Sequence, residues 1–319
     1  MANPFYNRGP IREPRFFFAR PRETREVLRL VAGSQNCSVV GPVKSGKTSL
    51  LLHLQRPATL ATHGLSAAQY CAVYLSFEGL GRLSAEQFFY FLLRETARQT
   101  KGKIALIWPR FEARDAIGFL ELKEALDQLE VAGERLVFLL DEVELAASNP
   151  AFDLNFFSAL RHIAARPRIC FVTATERGLH ELEVAGREIG SPFADLFSVV
   201  RLRPLEPDLA WRSLRSLALE EGVELEPERE FIMGLVASCP YCLQVAAYEV
   251  FELLTGQVRG TGEADAVVHR DEAERGQLDA FPVSPVSGGQ LGERLARGAN
   301  ARGSCPQRQH CAQENQPAQ

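Results

Sequence analysis

No stretch of the sequence approaches the ~20 consecutive apolar residues that a membrane-spanning helix needs. The opening MANPFYNRGPIREP also lacks the apolar centre of a secretory signal. A membrane protein is thereby set aside, and the cytoplasm is the expected compartment. Excess charge is missing too: 36 Lys and Arg against 40 Asp and Glu leave −4, which argues against a general nucleic-acid coat. Cysteines number only seven in 319 residues, an odd count. Cytoplasmic thiols stay reduced, so no disulfide framework is expected. Cys37, Cys71 and Cys170 each sit in an apolar run of strand-like composition, where a small buried hydrophobe is the ordinary explanation. No internal repeat is present, nor an Asn/Thr-Lys-x-Asp motif of the kind that reads guanine.

What is there is ordinary in bulk, with 46% hydrophobic and 24% charged residues, the make-up of a soluble globular chain. The length accommodates one α/β domain and a smaller companion. Residues 1–20 read as an extended docking arm, rich in Pro and Arg around Phe16-Phe17-Phe18. Arg8, Arg12, Arg15, Arg20, Arg22, Arg25 and Arg29 outnumber Glu13, Glu23 and Glu26. A solvated arm running into an amphipathic helix accounts for that patch, with a nucleic-acid contact as the alternative.

Residues 21–204 alternate between two periodicities. Apolar runs at Cys37–Val40, Cys71–Ser76, Leu136–Leu140, Ile169–Ala174 and Ser198–Leu202 predict strands. Between them, helical spacing is expected over 22–31, 48–54, 84–99, 115–131 and 151–165, with Ser84 and Gln87 as a capping box. Strands separated by helices imply a parallel sheet between helical layers, the α/β three-layer arrangement. From 205 to 255 the pattern is purely helical, with Pro207 and Pro227 at helix starts; this is the expected lid domain. Residues 256–319 turn abruptly to Gly, Arg, Ala, Gln and Ser, and cannot bury enough apolar surface to offset their ordering entropy. A disordered tail is expected there, and a shifted reading frame or truncation would produce so sharp a change.

Gly41-Pro42-Val43-Lys44-Ser45-Gly46-Lys47-Thr48 fits G-x-x-x-x-G-K-[ST] at every fixed position, with Ser49 following in the helix. Glycine lets the backbone curl so that its N–H groups face phosphate oxygens. Lys47 supplies a cation for the β- and γ-phosphates, Thr48 a hydroxyl for Mg²⁺, and the helix N-terminus adds its own positive field. Leu136-Val-Phe-Leu-Leu-Asp141-Glu142 puts paired acids at the carboxyl end of a buried strand, where open α/β sheets bind ligands. Asp141 is the candidate for holding Mg²⁺ through water, Glu142 for activating a water, and Glu144 is a fallback base. Phe171-Val-Thr173-Ala-Thr175 ends another strand in hydroxyls; if that strand lies between the other two, Thr175 is the better placed to reach the γ-phosphate. Lys47, Glu142 and Thr175 are thus the catalytic candidates.

Two further matches are set aside. Cys239-Pro240-Tyr241-Cys242 has thiol-oxidoreductase spacing, but joins two helices rather than following a strand, and no second pair sits at zinc spacing. Cys305, His310 and Cys311 fall in the expected tail, as does Ser287-Gly288-Gly289-Gln290, which lies after Asp141 rather than before it as in transporter ATPases.

With these motifs placed, the chain over residues 3–255 resembles the STAND class of P-loop ATPases. That class is an AAA+-like branch related to the NACHT and NB-ARC switches and to archaeal origin-recognition ATPases. Asn3-Pro4-Phe5-Tyr6 followed by Phe17-Phe18-Ala19-Arg20-Pro21-Arg22-Glu23 is similar to the class's N-terminal N-P-F…F-x-G-R-x-x-E, with Ala19 in place of the usual glycine. Ser191-Pro192-Phe193 through Arg201-Leu202-Arg203-Pro204-Leu205 resembles its link into the lid, and Ser238-Cys239-Pro240-Tyr241-Cys242-Leu243-Gln244 its lid motif G-x-P-Y-L-L-Q. The resemblance implies that Arg20 and Pro240 close over the base of ATP or ADP, with Mg²⁺ at the phosphates. It also implies slow hydrolysis that resets a switch, and an unidentified protein partner or self-association as the output. No arginine finger is assignable, consistent with slow turnover, because such a residue is worth ~10³–10⁵ in rate. The competing expectations are an interaction module that binds nucleotide without appreciable hydrolysis, a small-molecule phosphotransferase, and a DNA-linked ATPase of origin-recognition type.

Overall fold

The computed structural model describes residues 2–66, 68–100, 104–184, 187–188, 193–236 and 239–256. The readings made for 257–319 lie outside the described residues, as do Ser191, Pro192 and Ser238. Five strands make one parallel sheet: β1 (Asn36–Val40), β2 (Tyr70–Ser76), β3 (Arg135–Asp141), β4 (Ile169–Thr175) and, after a short ribbon of β5 (Glu183–Val184) and β6 (Arg187–Glu188), β7 (Phe197–Arg201). Their order is β2-β3-β4-β1-β7. The parallel α/β sheet is as expected, and β4 does lie between the strand that enters the phosphate loop and the strand that ends in Asp141.

The alternation of side chains along a strand explains the two cores. Leu136, Phe138 and Leu140 of β3 join Ile169 and Phe171 of β4 on one face. There they pack on helices α4 (Ala85–Gln99), α6 (Phe119–Val131) and α8 (Leu154–Ala164), through Phe88, Leu92, Leu122, Leu126 and Phe156 among others. Val137 and Leu139 join Cys170 and Val172 on the other face, against α1 (Pro21–Ala32) and α2 (Lys47–Leu54). Covered on both faces, β3 and β4 read as unbroken apolar runs. The edge strand β2 is only half covered. Cys71 is therefore half-buried, contrary to the expectation of a core cysteine, whereas Cys37 and Cys170 are buried as expected.

Helix starts follow their caps. Ser84 Oγ accepts from Gln87 N–H and Gln87 Oε1 accepts from Ser84 N–H, the expected capping box. Helix α8 begins three residues later than its apolar pattern suggested, because the Asp153 carboxylate accepts from the N–H groups of Asn155 and Phe156. Helix α6 begins at Phe119 rather than at 115: Gly118 N–H donates to Glu121 (2.9 Å), while Ile117 N–H is already engaged by Glu86 O. Three short helices had no sequence signal of their own: α3 (Pro57–Thr62), α5 (Ile104–Ile107) and α7 (Val143–Ala147).

After β7 come α9 (Pro207–Glu220), α10 (Arg229–Val236) and α11 (Pro240–Thr255). Their core of Leu205, Trp211, Leu214, Leu243, Ala247 and Phe251 also contains Phe5 and Phe16 from the start of the chain. Phe5 is fully buried, edge-on to Phe251, and Asn3 Nδ2 donates to Tyr248 O and Glu252 Oε1. The first and last described segments thus share one core.

Candidate functional site

The register Val40↔Thr175 and Leu140↔Thr173 brings the carboxyl ends of β1, β4 and β3 level. The loop after Val40 and the acids after Leu140 therefore meet at one edge of the sheet. Between this edge and α11 lies a cavity of about 300 Å³. The 43–49 part of the phosphate loop lines it, with Asp141, Glu142, Glu144 and Glu176 on the sheet side. Residues 7–11 and 16–18, Arg20, Pro240, Tyr241 and Gln244 close the other side.

The loop's shape needs its residue types. A Cβ at Gly41 would stand 2.8 Å from Ser45 Oγ and 3.0 Å from Leu202 Cβ, so any larger residue would have to displace Ser45 and press on Leu202. Gly46 takes φ 90° as the residue before α2, a conformation glycine reaches without cost. Lys44 takes φ 63°, strain of the kind stored at ligand-binding loops. Its ammonium lies 4.4 Å from the centre of the Tyr241 ring, joining the loop to the lid. Gly41 N–H donates to Thr175 O (3.1 Å), pinning the loop to β4.

Lys47 Nζ donates to the carbonyls of Gly41 (2.8 Å) and Pro42 (3.1 Å). Burial lowers its pKa, against the pull of Glu144, Glu176, Asp141 and Glu142. Asp141 is 1% exposed; its Oδ2 accepts from Tyr74 OH (2.9 Å) and its Oδ1 from Glu142 N–H (3.1 Å). Glu142 sits at φ 56°, just ahead of α7, and its Oε2 accepts from Ser76 Oγ (3.1 Å). Burial raises the Glu142 pKa, with Asp141 and Glu78 adding to the rise. Burial likewise raises that of Glu144, whose Oε1 accepts from Glu176 N–H while its Oε2 is enclosed without a hydrogen-bond partner.

Arg20 is 4% exposed. It donates to Glu23 Oε1 (2.8 Å), Arg203 O (2.6 Å) and Ser45 O (3.1 Å), so one guanidinium ties α1, the strand exit before the lid and the phosphate loop together. Burial lowers its pKa against the support of Glu23. Thr175 differs from the other candidates. It is fully buried, does not line the cavity, and its hydroxyl has no hydrogen-bond partner.

Glu176, Tyr74 and Ser76 were missed in the sequence. Tyr74 and Ser76 carry hydroxyls toward the end of β2, in register with Leu139 and Asp141. Nothing short of knowing that β2 pairs with β3 singles them out. Glu176 directly follows the hydroxyl-rich end of β4, which was the available signal. The arginine patch is partly spoken for: Arg8 lies 4.6 Å over the Tyr248 ring and 3.9 Å from Glu249, and Arg15 is 3.5 Å from Glu13.

Among the described residues no group of three or more His, Cys, Asp or Glu could by itself hold a metal. Thr48 and Asp141 both line the cavity, and oxygen donors of this kind, few in number, are what Mg²⁺ takes from a protein.

A curled loop of main-chain amides, a lysine and paired acids at the carboxyl edge of a β2-β3-β4-β1-β7 parallel sheet define a nucleotide-binding P-loop NTPase of AAA+-like architecture. The profile described as novel STAND NTPase 2 matches residues 112–280, over half of the chain, and the chain belongs to that family. No curated protein matches the chain. Its fold is similar to that of a Walker-type ATPase of Pyrococcus abyssi, at 16% identity and a TM-score of 0.54, over 93% of this chain and 81% of that one. The ORC2 protein of Aeropyrum pernix, in its ADPNP–ADP complexes, is similar at 18% identity and a TM-score of 0.55, over 79% of this chain and 65% of that one. No helix among the described residues is long and apolar enough to cross a membrane.

Proposed function

We propose that this chain is an adenine-nucleotide switch in the cytoplasm that binds ATP and ADP with Mg²⁺ and hydrolyses ATP slowly. The observation that carries this reading is the convergence of the 43–49 part of the loop, the Asp141-Glu142 pair and Pro240, Tyr241 and Gln244 of the lid on one cavity. In this reading the loop amides and Lys47 bind the polyphosphate, and the Lys47 ammonium exchanges its carbonyl partners for phosphate oxygens. Thr48, and Asp141 through water, would hold Mg²⁺, which would supply neutralising charge at the phosphates. Glu142, with its raised pKa and its carboxylate steadied by Ser76, is assigned to accept a proton from the attacking water. Thr175 is assigned a positioning role behind the loop. Arg20 and Pro240 border the base.

Coupling to an output requires contacts that differ between nucleotide states. The Lys44–Tyr241 contact between loop and lid is suited to that, because phosphate also attracts Lys44. A protein partner or self-association would receive the change. DNA is less favoured, since Arg8, Arg15 and Arg20 have partners within the chain.

Calorimetry of ATP, ADP and GTP, with and without Mg²⁺, tests the binding step, and turnover of Glu142→Gln tests the chemistry. We expect tight adenine-nucleotide binding, with ATP retained and turnover lost in the variant. An already negligible wild-type rate, unchanged by the substitution, would favour a binding module instead. Indifference to all nucleotides at millimolar levels would refute the proposal.

A further inference from the structure

The five cysteines among the described residues divide by their surroundings. Burial pushes the thiols of Cys71 and Cys170 up, to about 11 and about 12, and raises that of Cys37 as well. Cys239 moves the other way, to about 7. The hydrogen bond from the Cys242 thiol is the main cause, the first-turn amides of Cys242 and Tyr241 assist, and the Arg20 guanidinium adds its charge, all against burial. Geometry sets the pair apart independently. Cys239 occupies the position just before the 16-residue helix α11, Cys242 sits in its first turn, and the two Sγ atoms are 3.0 Å apart.

We propose that Cys239 and Cys242 form a redox-active dithiol, closed to an intramolecular disulfide by low-molecular-weight disulfides such as oxidised glutathione and reopened by thiols. Its position between two helices sets it apart from the strand-to-helix setting of thiol oxidoreductases, which is why the sequence pattern alone was set aside. The chemistry, however, needs thiolate character at a helix N-terminus and a second thiol within reach, and both are present. Cys239 is fully buried and Cys242 is half-exposed, so the external disulfide meets Cys242 first. The Cys242 thiol passes its proton along the existing hydrogen bond to the Cys239 thiolate and attacks one sulfur of the oxidant, forming a mixed disulfide and releasing one thiolate, which takes up the proton now on Cys239. Cys239 Sγ then attacks Cys242 Sγ, breaking the bond to the oxidant and releasing the second. Two protein thiols are oxidised, one external disulfide is reduced to two thiols, and the two protons go to the departing sulfurs. Closure from 3.0 Å to the ~2.05 Å of a disulfide asks for about 1 Å of movement. The same turn of α11 carries Pro240, Tyr241 and Gln244 into the cavity, so closure is transmitted to bound nucleotide; this last step rests on the function proposed above.

The full chain, equilibrated in glutathione redox buffers, alkylated and digested, provides the test. Mass spectrometry should show the peptide spanning Cys239 and Cys242 lighter by two hydrogens, with Cys37, Cys71 and Cys170 still alkylated after denaturation. Cys239→Ser should accumulate glutathione on Cys242, and Cys242→Ser should leave Cys239 reduced. If Cys239→Ser does not fold, the wild-type map and Cys242→Ser decide the matter. A pair that stays reduced where a Cys-x-x-C peptide oxidises, or glutathione accumulating on Cys71 instead, would overturn the proposal. Release of a fluorescent ADP analogue should differ between oxidised and reduced chain by about fivefold, the lower end of ordinary coupling. Equal release rates from chains carrying the mapped bond would overturn the transmission alone. Failure of both forms to bind the analogue would count against the nucleotide reading and leave the dithiol standing.

Discussion

Removing the Arg20 guanidinium tests whether the phosphate loop is braced from the lid side. Three buried donors go to Glu23 Oε1, Arg203 O and Ser45 O, at 2.8, 2.6 and 3.1 Å. Bonds from a charged donor contribute ~1.5–3 kcal/mol each, so their gross sum is about 4.5–9 kcal/mol. Returning the guanidinium to water recovers part of this, since burial already depresses its pKa. Breaking a buried pair by deleting one partner typically costs ~3–5 kcal/mol. Glu23 is 15% exposed and can recover some hydration, which places Arg20→Ala at the lower end, near ~3 kcal/mol. At ~2–4 °C per kcal/mol for a domain of 150–250 residues, the melting temperature should fall by about 6–12 °C. Arg20→Lys should recover less than half of that loss, because one ammonium cannot span three diverging acceptors. Calorimetric melting of both variants checks the numbers. A melting temperature for Arg20→Ala within about 2 °C of wild type would show that the three bonds contribute nothing net.

The other predictions concern single positions. Lys47→Ala should weaken nucleotide binding at least tenfold, about 1.4 kcal/mol, with the melting curve of the unliganded chain little changed; titration calorimetry and melting separate the two effects. Ala19 takes φ 60°, a conformation costing ~1–2 kcal/mol for a side chain with Cβ. Glycine there gives back ~0.4–1 kcal/mol through the unfolded chain, so Ala19→Gly should stabilise by up to about 1.6 kcal/mol in denaturant unfolding. The Glu144 carboxyl has its pKa raised by burial. A raised acid favours the folded state below its unfolded pKa of ~4.3 and withdraws that support as pH rises through the folded value. Glu144→Gln should therefore stabilise the unliganded chain at pH 7 and lose this advantage near pH 4; the same gain at both pH values would contradict the assignment.

Legibility in the sequence followed the range of the forces involved. The strand runs, the phosphate loop and the capping box at Ser84 are decided by neighbours within a few residues, so their signals lie side by side in the chain. Asp141 and Glu142 were legible because the apolar run before them ends so abruptly. Tyr74 and Ser76 were not, because what matters is their register against β3, a long-range pairing that leaves no local trace. The start of α8 departs from the apolar pattern for a local reason: the Asp153 carboxylate takes the first amides, so the stretch from Ala151 to Asp153 is not yet helix. The half-exposure of Cys71 is a consequence of β2 lying at the sheet edge, which composition does not reveal. Ala19 stands where the STAND class usually has glycine, and the backbone there keeps the left-handed turn all the same.

The shared core of Phe5, Phe16 and α11 sets a schedule for biosynthesis. Asn3 is synthesised 245 residues before its partner Tyr248, and Phe5 precedes Phe251 by a similar length of chain. At ~5–20 residues per second, the leading segment waits about 10–50 s before its docking site exists. Until then Phe5 and Phe16 are exposed on a nascent chain, a window in which chaperones would find them.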